Sequence, residues 1–527
     1  MIYIIYYYDS NKLFFKEEFE SSYLSSFLNK YKKTKIICQK NGKIKKKFEK
    51  VSFAFLKPYS YKSMELLIND VVRIQKNNPA CKIILFGDFA KNHYIKLFDG
   101  LNNQIYGIIL GDNETTALQI IHHQKNKFKK IEGLVYKDNN ELTYNPNNKI
   151  VKMDEIPFGD RRILVENNQK FAEVLFSKGC VHKCSFCRES RKDFKCQTYE
   201  NRFKSIDSSV DELEYLNKGL NIKNITIKDL SFEDRNIISK KNELEIFANE
   251  IINRKLDIRY AVHFRANYRK HCDEKTLEKL RISGLNDCLV GIESFVEKEL
   301  EFFGKGVTTK ENQKFIELLR KHNIEPSCSF MFINPLSTFE SVLQNVGVAH
   351  HLNLTYFLPP MLNILIVHKN TLIYDELKKL ELIDINPSQN NSYIVNLKYR
   401  NKRIKLLSDI FHENFSNKKI WDLTHPVKLL SADYMNFLGK FNGRLFFNNN
   451  LKQEIVCLLK KICKYNYEFL LGVIKNCEED KYSEAKKLFE KYQIDFSKNF
   501  KKEVINVRIS LIKEFKANEI FESRKII

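Results

Sequence analysis

The chain has 527 residues, of which 43% are hydrophobic, a formal net charge of +23 and 12 cysteines. This length and apolar content are typical of two or three folded domains and exclude a disordered protein. No run of about 18 uncharged apolar residues and no leader pattern is present, so we expect a cytoplasmic protein with no membrane partner. The cysteines are too dilute for a disulfide scaffold. The lysines are dispersed along the chain, which argues against nucleic acid as the main partner.

Residues 1 to 150 alternate short apolar runs of β type with amphipathic stretches. Strands are predicted at residues 2–8, 35–38, 51–56, 82–86 and 105–110. Apolar residues at helical spacing predict helices at residues 63–75 and 115–122. Strands separated by helices are typical of a parallel sheet, so we predict a doubly wound, Rossmann-like domain that ends in a hairpin. Residues 151–169 read as a linker.

Residues 170–384 resume the alternation of strands and helices. Six strands are predicted, at residues 173–176, 224–227, 258–262, 288–292, 326–332 and 363–367. The intervening helices are long enough for right-handed crossovers, so a partial (β/α)6 barrel of the TIM type is the economical fold. Residues 385–527 are mainly helical in pattern and are predicted to form a C-terminal helical domain. The predicted fold class is therefore α/β with a helical C-terminal addition.

Three cysteines stand close together in the segment FSKGCVHKCSFCRE, at Cys180, Cys184 and Cys187. A loop with this C-x3-C-x2-C spacing can fold three thiolates around one metal centre. A structural zinc site needs four closed ligands, whereas a cubane cluster held by three cysteines leaves one iron open to a substrate. Zinc, with Cys196 or His182 as the fourth ligand, is the alternative that these residues leave open.

The pattern Cys180-x3-Cys184-x-Phe186-Cys187 resembles the CxxxCxΦC signature of the radical S-adenosylmethionine (SAM) superfamily. The resemblance implies a 4Fe–4S cluster whose open iron is chelated by the amino and carboxylate groups of SAM, with Phe186 among the cofactor contacts. One electron then splits SAM into methionine and a 5'-deoxyadenosyl radical, chemistry that the cofactors supply. It also implies an external electron donor such as a flavodoxin or ferredoxin.

Polar residues after the later strands are candidate SAM contacts, because the working residues of a βα barrel gather at the C-terminal ends of its strands. Asp229 follows the second strand, where the family contacts the SAM amino group, and Arg265 after the third suits the SAM carboxylate. Glu293 and Ser294 follow the fourth strand in LVGIES, and in similar enzymes this acidic residue bonds the ribose hydroxyls. An ordinary strand-end role is the alternative for Asp229 and Arg265.

The N-terminal domain resembles the cobalamin-binding-type domain of one large branch of this superfamily. The similarity lies in IYGIILGDNETT at residues 105–116 and in the connector IPFGDRR at residues 156–162. Two departures leave cobalamin open: the Asp-x-His-x-x-Gly motif is absent, and the usual Gly-Gly after the fourth strand is Gly87-Asp88. The resemblance implies an enzyme that modifies a peptide or small natural product, by C-methylation if cobalamin binds.

Two other functions stay open. A radical SAM enzyme that modifies RNA would use the basic surface for phosphate contacts. Against it, no second group of three cysteines precedes residue 150, and the C-terminal residues lack the pattern of a small β-barrel. The other alternative is a basic, metal-bound binding protein without catalytic activity.

Overall fold

The computed structural model describes residues 1–7, 18–39, 48, 50–59, 63–101, 104–123, 128–139, 141–146, 150–190, 201–270, 272–384, 394–415, 417–441 and 448–525. These residues form two compact units. The first comprises residues 1–181 and 201–229, and the second comprises residues 182–190, 230–384 and 394–525. The domain boundaries predicted at residues 150, 169 and 384 stay predictions. No helix in these ranges is long and apolar enough to cross a membrane.

The first unit begins with a mixed sheet. Its strands are β1 (Ile2–Tyr7), β2 (Thr34–Gln39), β3 (Phe53–Lys57), β4 (Lys82–Leu85), β5 (Gly107–Ile109), β6 (Leu134–Asp138) and β7 (Glu141–Tyr144). They are ordered β2-β1-β3-β4-β5-β6-β7. The first five are parallel, and β6 and β7 add an antiparallel hairpin. The order 2-1-3-4-5 is that of flavodoxin-like doubly wound folds, which bind ligands where the strand order reverses, between β1 and β3.

Helices cover both faces of this sheet. The helices of the first unit are α1 (Phe19–Asn29), α2 (Met64–Asn77), α3 (Asp88–Asn92), α4 (Tyr94–Leu101), α5 (Asn113–His122), α6 (Arg162–Glu166) and α7 (Ile206–Glu214). Successive side chains of a strand point to opposite faces. Ile2 and Ile4 accordingly pack with residues of α1 and α5, whereas Tyr3 and Ile5 pack with residues of α2 and α4. The predicted doubly wound domain is confirmed.

The connector IPFGDRR is fixed by a buried ion pair. The Arg161 guanidinium donates to Glu212 Oε1 of α7 at 3.0 Å and to the Glu173 backbone carbonyl at 3.0 Å. Glu212 also accepts the Tyr23 hydroxyl and the Lys204 ammonium, both at 2.9 Å. Burial works to raise the pKa of Glu212, but Lys204 and Arg161 outweigh it and lower that pKa. Arg161 therefore has a structural role in this segment.

Five of the six predicted barrel strands are present, divided between the two units, and the first unit also contains a short antiparallel pair of strands. The first unit holds β8 (Phe171–Val174), β9 (Ser177–Lys178), β10 (Arg202–Phe203) and β11 (Asn224–Ile227), and the second holds β12 (Arg259–Arg265), β13 (Leu285–Glu293) and β14 (Glu325–Phe330). β8 pairs with β11 in parallel, and β13 pairs in parallel with both β12 and β14. The helices that follow in the second unit are α8 (Asp234–Ser239), α9 (Glu243–Asn253), α10 (Glu274–Ile282), α11 (Glu297–Phe302), α12 (Thr309–Lys321), α13 (Phe339–His351) and α14 (Leu372–Lys379).

The strand predicted at residues 363–367 is reduced to one parallel bridge, between Ile333 and Ile364. Its partner segment lies beyond the end of β14 and turns away at once. There the Asn334 backbone N–H donates to the Ser337 hydroxyl at 3.0 Å instead of to a neighbouring strand. A strand needs a partner of matching length, and this one has none.

The C-terminal part is helical, as predicted. It consists of α15 (Lys402–Phe415), α16 (Lys418–Phe441), α17 (Asn449–Glu478), α18 (Tyr482–Phe496) and α19 (Lys502–Lys525). Two buried polar contacts tie these helices to the strand region of the second unit. Ser431 of α16 donates to Glu325 Oε2 at 2.9 Å, and Asn466 of α17 donates to the Thr355 carbonyl at 2.7 Å.

Candidate active site

The three cysteines lie in the loop that follows β9, where Gly179 adopts a φ of +94° that favours glycine. All three are thiols; Cys184 is buried, and Cys180 and Cys187 are half-buried. Burial raises the pKa of Cys187. A bound iron would stabilise the thiolate that burial disfavours, so this donor set suits a cluster. Among the described residues, no group of three His, Cys, Asp or Glu side chains converges on a single ion, and the thiolates of a cubane each bind a different iron.

The structure leaves the zinc alternative without an assembled fourth ligand in the described part of the chain. The His182 ring lies 3.3 Å from the Asp234 carboxylate, measured from Nε2 to Oδ1. Cys196, the other candidate, lies outside the described residues. The cluster interpretation of the loop therefore depends on Cys180, Cys184 and Cys187 alone.

Backbone contacts anchor the second half of this loop. The Ser185 N–H donates to the Phe303 carbonyl and its hydroxyl to the Phe302 carbonyl, both at 2.9 Å. The Ile373 N–H in turn donates to the Ser185 carbonyl at 2.9 Å. The Phe186 ring meets the Phe303 ring edge to face, with 5.9 Å between centroids. Phe186 thus fastens the loop to the FFGKG segment at residues 302–306.

Arg265, the last residue of β12, contacts the cysteine loop directly. Its Nη1 donates to Cys184 Sγ at 2.9 Å, and its Nη2 donates to the Lys305 carbonyl. Its backbone N–H donates to Glu233 Oε1 at 2.9 Å. Its Nε is buried and has no hydrogen-bond partner among the described residues. Hydrogen bonds to cluster sulfurs help to set the reduction potential, so a donor at Cys184 would influence a cluster bound there.

Glu293 ends β13 and faces Lys305. Lys305 Nζ lies 3.2 Å from Glu293 Oε1, and both side chains are buried. The Ser329 hydroxyl also approaches this carboxylate, at 3.3 Å from Oε1. A Cβ at Gly291 would lie 2.6 Å from Lys305 Nζ and 2.9 Å from Glu293 Oε1, so only glycine leaves room for the pair.

Ser294 points away from the Glu293–Lys305 pair. It is fully buried, and its hydroxyl lies 2.6 Å from Glu299 Oε2 and 3.0 Å from Asn345 Oδ1. The Ser294 hydroxyl therefore bonds residues of α11 and α13, whereas the Glu293 carboxylate faces Lys305. Glu299 and Asn345 were not identified from the sequence, because they stand alone in their helices without a motif.

Asp229 holds the start of the cysteine loop within the first unit. It follows β11, and its Oδ1 accepts the backbone N–H groups of Phe176 at 2.8 Å and Ser177 at 2.9 Å. Two N–H groups on one carboxylate oxygen fix the chain where β8 ends and the loop begins. Both of these hydrogen bonds come from backbone N–H groups, so Asp229 can hold the loop whatever the side chains at positions 176 and 177 are.

The segment GDNETT after β5 also forms ion pairs with β9, which leads into the cysteine loop, and with its partner strand β10. Glu114 Oε2 accepts Lys178 Nζ at 2.5 Å, and Asp112 Oδ2 accepts Arg202 Nη2 at 2.6 Å. Asp112 also caps α5, since its side chain accepts the Thr115 N–H at 3.1 Å. These acidic side chains are therefore paired with cations of β9 and β10.

At the point where the strand order reverses, the described side chains pair with one another. Lys57, at the end of β3, lies 2.5 Å from Glu18 Oε1 and also contacts Glu20. A Cβ at Gly87 would lie 2.5 Å from Lys57 Cε, so the lysine covers this glycine. Residues 8–17 and 60–62, which also follow β1 and β3, lie outside the described residues. In the described part of this position, Lys57 and the two carboxylates therefore engage one another.

Comparison with known proteins identifies the domain that carries the cysteine loop. Residues 174–346 match the family described as the radical SAM superfamily. An uncharacterized methyltransferase of Pyrococcus horikoshii is 27% identical over 260 residues, 48% of this chain and 54% of that protein. Bacteriochlorophyllide d C-8(2)-methyltransferase of Chlorobaculum tepidum is 25% identical over 221 residues, 41% of this chain and 46% of that protein. The matches thus span about half the length of these relatives.

Solved structures share the fold. The cobalamin-dependent SAM radical enzyme OxsB, with aqua-cobalamin and SAM bound, gives a TM-score of 0.73 at 16% identity and covers 100% of this chain and 81% of that chain. The radical SAM methyltransferase TsrM from Kitasatospora setae gives 0.58 at 15% identity and covers 72% of this chain and 76% of that chain. The predicted fold class is confirmed. Residues 174–346 therefore match the radical SAM superfamily, and the chain shares its fold with OxsB and TsrM.

Proposed function

We propose that this protein binds a 4Fe–4S cluster through Cys180, Cys184 and Cys187 and cleaves SAM reductively. One observation carries the proposal: an unbroken chain of contacts runs from a cluster thiol to a buried carboxylate. Arg265 bonds both the Cys184 sulfur and the Lys305 carbonyl, and Lys305 pairs with Glu293. A loop that binds iron and a carboxylate that binds a ribose need such a fixed relation, because the radical forms only where both ends of SAM are held.

Each side chain then has a chemical task. When bound, the cluster supplies the electron that splits SAM, and an external donor such as a flavodoxin or ferredoxin restores it. Arg265 presents the N–H of its Nε, which has no hydrogen-bond partner among the described residues, to the SAM carboxylate. Glu293 accepts hydrogen bonds from the ribose hydroxyls, and Lys305 offsets the cost of burying that carboxylate.

The remaining predicted residues act through the loop. Asp229 fixes the backbone at Phe176 and Ser177. We therefore propose that Asp229 positions the cysteine loop and does not contact the SAM amino group. Phe186 packs on Phe303 and shields the last cysteine from water.

The proposed reaction on the substrate is methylation of a carbon atom in a peptide or small natural product. A carbon-bound hydrogen that no base can remove is accessible to a deoxyadenosyl radical, and SAM is also a methyl source. The relatives in Pyrococcus horikoshii and Chlorobaculum tepidum are named as methyltransferases, which supports this choice. The protein should be purified in the presence of hydroxocobalamin, and bound cobalamin and S-adenosylhomocysteine formation measured. About one bound cobalamin per chain, together with S-adenosylhomocysteine that forms only when cobalamin is present, would support methylation. The absence of both would indicate another radical reaction.

Iron binding and SAM binding can be tested without a substrate. Anaerobically reconstituted protein should contain about four irons per chain, and its reduced EPR signal should change shape when SAM binds the open iron. Cys184→Ala should lose the signal. Cys457→Ala, which removes an exposed cysteine of α17, is the matched control and should retain it. If the EPR spectrum of the wild-type cluster does not change at saturating SAM, the proposal is contradicted.

A further inference from the structure

The turn that presents Glu293 has a backbone conformation that an ordinary residue adopts only at a cost. Glu293 has a φ of +63°, in the left-handed region, and the pairing of β13 with β14 shifts register between Gly291 and Glu293. Such non-glycine conformations persist only where the surroundings hold them, and they cluster at functional sites. A register shift of this kind re-aims a side chain. What holds this turn is therefore part of the site.

Asn312 of α12 clamps the backbone on both sides of Glu293. Its side chain is fully buried, and its Nδ2 donates to the Ile292 carbonyl at 3.1 Å and to the Ser294 carbonyl at 3.0 Å. One amide group thus bonds the two carbonyls that flank the strained residue. Rotation of the Glu293 backbone out of the left-handed region would break at least one of these bonds.

Asn345 of α13 holds the next step of the turn. Its Oδ1 accepts the Phe295 N–H at 2.6 Å and lies 3.0 Å from the Ser294 hydroxyl. Its Nδ2 donates to Glu299 Oε2 at 3.0 Å, and the same carboxylate oxygen lies 2.6 Å from the Ser294 hydroxyl. Residues from α11 and α13 therefore meet around Ser294 and Phe295.

Glu299 is a buried carboxylate held by neutral donors. Its Oε1 accepts Asn334 Nδ2 at 3.0 Å and the hydroxyls of Ser337 at 2.9 Å and Ser341 at 3.2 Å. A buried charge held only by hydrogen bonds is costly, and apolar packing of similar volume would stabilise the fold as well. Such a network is better explained by the geometry that it imposes on the turn than by its contribution to stability.

We propose that Asn312, Asn345 and Glu299 are positioning residues that hold Glu293 in its left-handed conformation, so that its carboxylate meets the SAM ribose. The proposal rests on the proposed function of Glu293. None of the three touches SAM in this account; each acts through the backbone of residues 292–295.

The test compares two changes at Asn345 by equilibrium binding of radiolabelled SAM to the full-length, anaerobically reconstituted protein. Asn345→Leu keeps the approximate side-chain volume and removes all hydrogen bonds of the Asn345 amide. The Kd for SAM should therefore rise at least about tenfold, while the iron content stays unchanged. The exchange variant Asn345→Asp with Glu299→Gln moves the charge but keeps each donor opposite an acceptor. Its Kd should stay within about threefold of wild type.

Asn466→Leu is the matched control. Asn466 is also fully buried and bonds two carbonyls, those of Thr355 and Tyr356, at 2.7 and 3.3 Å. Its loss should lower stability and leave the Kd for SAM unchanged. Should Asn345→Leu fail to fold, Asn312→Asp, which puts an acceptor against two carbonyls, provides the same readout and the same expected rise.

Two outcomes overturn the inference while the proposed function stands: Asn345→Leu and Asn312→Asp bind SAM like wild type, or the exchange variant binds as weakly as Asn345→Leu. In both cases wild type still binds SAM and Glu293→Gln still weakens binding. If wild type with a complete cluster binds no SAM, the proposed function fails and the inference fails with it.

Discussion

Gly291→Ala probes the space around the proposed ribose carboxylate with a single methyl group. The added carbon would lie 2.6 Å from Lys305 Nζ and 2.9 Å from Glu293 Oε1, whereas ordinary contacts begin at 3.4 Å. Both charged groups must therefore shift by roughly half an ångström or more. Both atoms lie at the ends of flexible side chains, which can yield, so the loss of affinity should be on the order of tenfold. We expect the Kd for SAM to rise by that factor, with the 4Fe–4S content unchanged.

Gly347→Ala is the matched control for this methyl group. Gly347 lies inside α13, and a Cβ there would meet nothing within 4 Å. Alanine in a helix interior is about 0.5–1 kcal/mol more stable than glycine, so this variant should gain slightly in stability and bind SAM like wild type. Binding of SAM by Gly291→Ala with wild-type affinity would refute the assignment of Glu293 and Lys305 to the SAM site.

Three further changes test the surroundings of the cluster. Arg265→Met removes a positive donor from Cys184, so the midpoint potential of the cluster, titrated without SAM, should fall by on the order of 50 mV. Asp229→Ala removes the acceptor of two loop N–H groups and should lower iron content, whereas Asp229→Asn keeps a carbonyl oxygen and should retain it. Burial and the neighbouring Asp234 raise the pKa of Glu233 from 4.5 to about 7. Between pH 4.5 and 7 the folded state holds a proton that the unfolded state releases, so the free energy of unfolding falls as the pH rises. Glu233→Gln should remove this pH dependence and raise the free energy of unfolding by about 3 kcal/mol at pH 8.

Each of these predictions has a contradicting result. An unchanged potential in Arg265→Met would mean that the contact with Cys184 does not influence the cluster. Equal iron content in Asp229→Ala and wild type would show that Asp229 is not needed to hold the cysteine loop. Parallel stability curves against pH for Glu233→Gln and wild type, measured by chemical denaturation, would show that Glu233 titrates near its ordinary value.

The fold could be predicted from the sequence because its signals are local, and the prediction of the cluster ligands depends on a signal that is equally local. The βα alternation and the spacing of Cys180, Cys184 and Cys187 each lie within short segments. The predicted strand at residues 363–367 failed because a strand depends on a distant partner, which here turns away at Asn334. The partners of Ser294 could not be read from the sequence, because the chain leaves the extended conformation at Glu293, where φ is +63°.

The remaining site residues depend on contacts between distant parts of the chain. Arg265 meets Cys184 across 81 positions, and Asn345 meets Ser294 across 51. Asn312 and Glu299 stand in amphipathic helices whose periodicity marks them only as helical positions. No pattern in one sequence predicts which polar side chain of a helix will reach a strand end.

Formation of 5'-deoxyadenosine tests the central claim most directly. The protein should be reconstituted with iron and sulfide without oxygen, reduced with dithionite and supplied with SAM, and 5'-deoxyadenosine quantified beside Cys184→Ala and Cys457→Ala. The account predicts 5'-deoxyadenosine from wild type and Cys457→Ala, and none from Cys184→Ala. A wild-type protein that holds a complete, reduced cluster and binds SAM but forms no 5'-deoxyadenosine would contradict it.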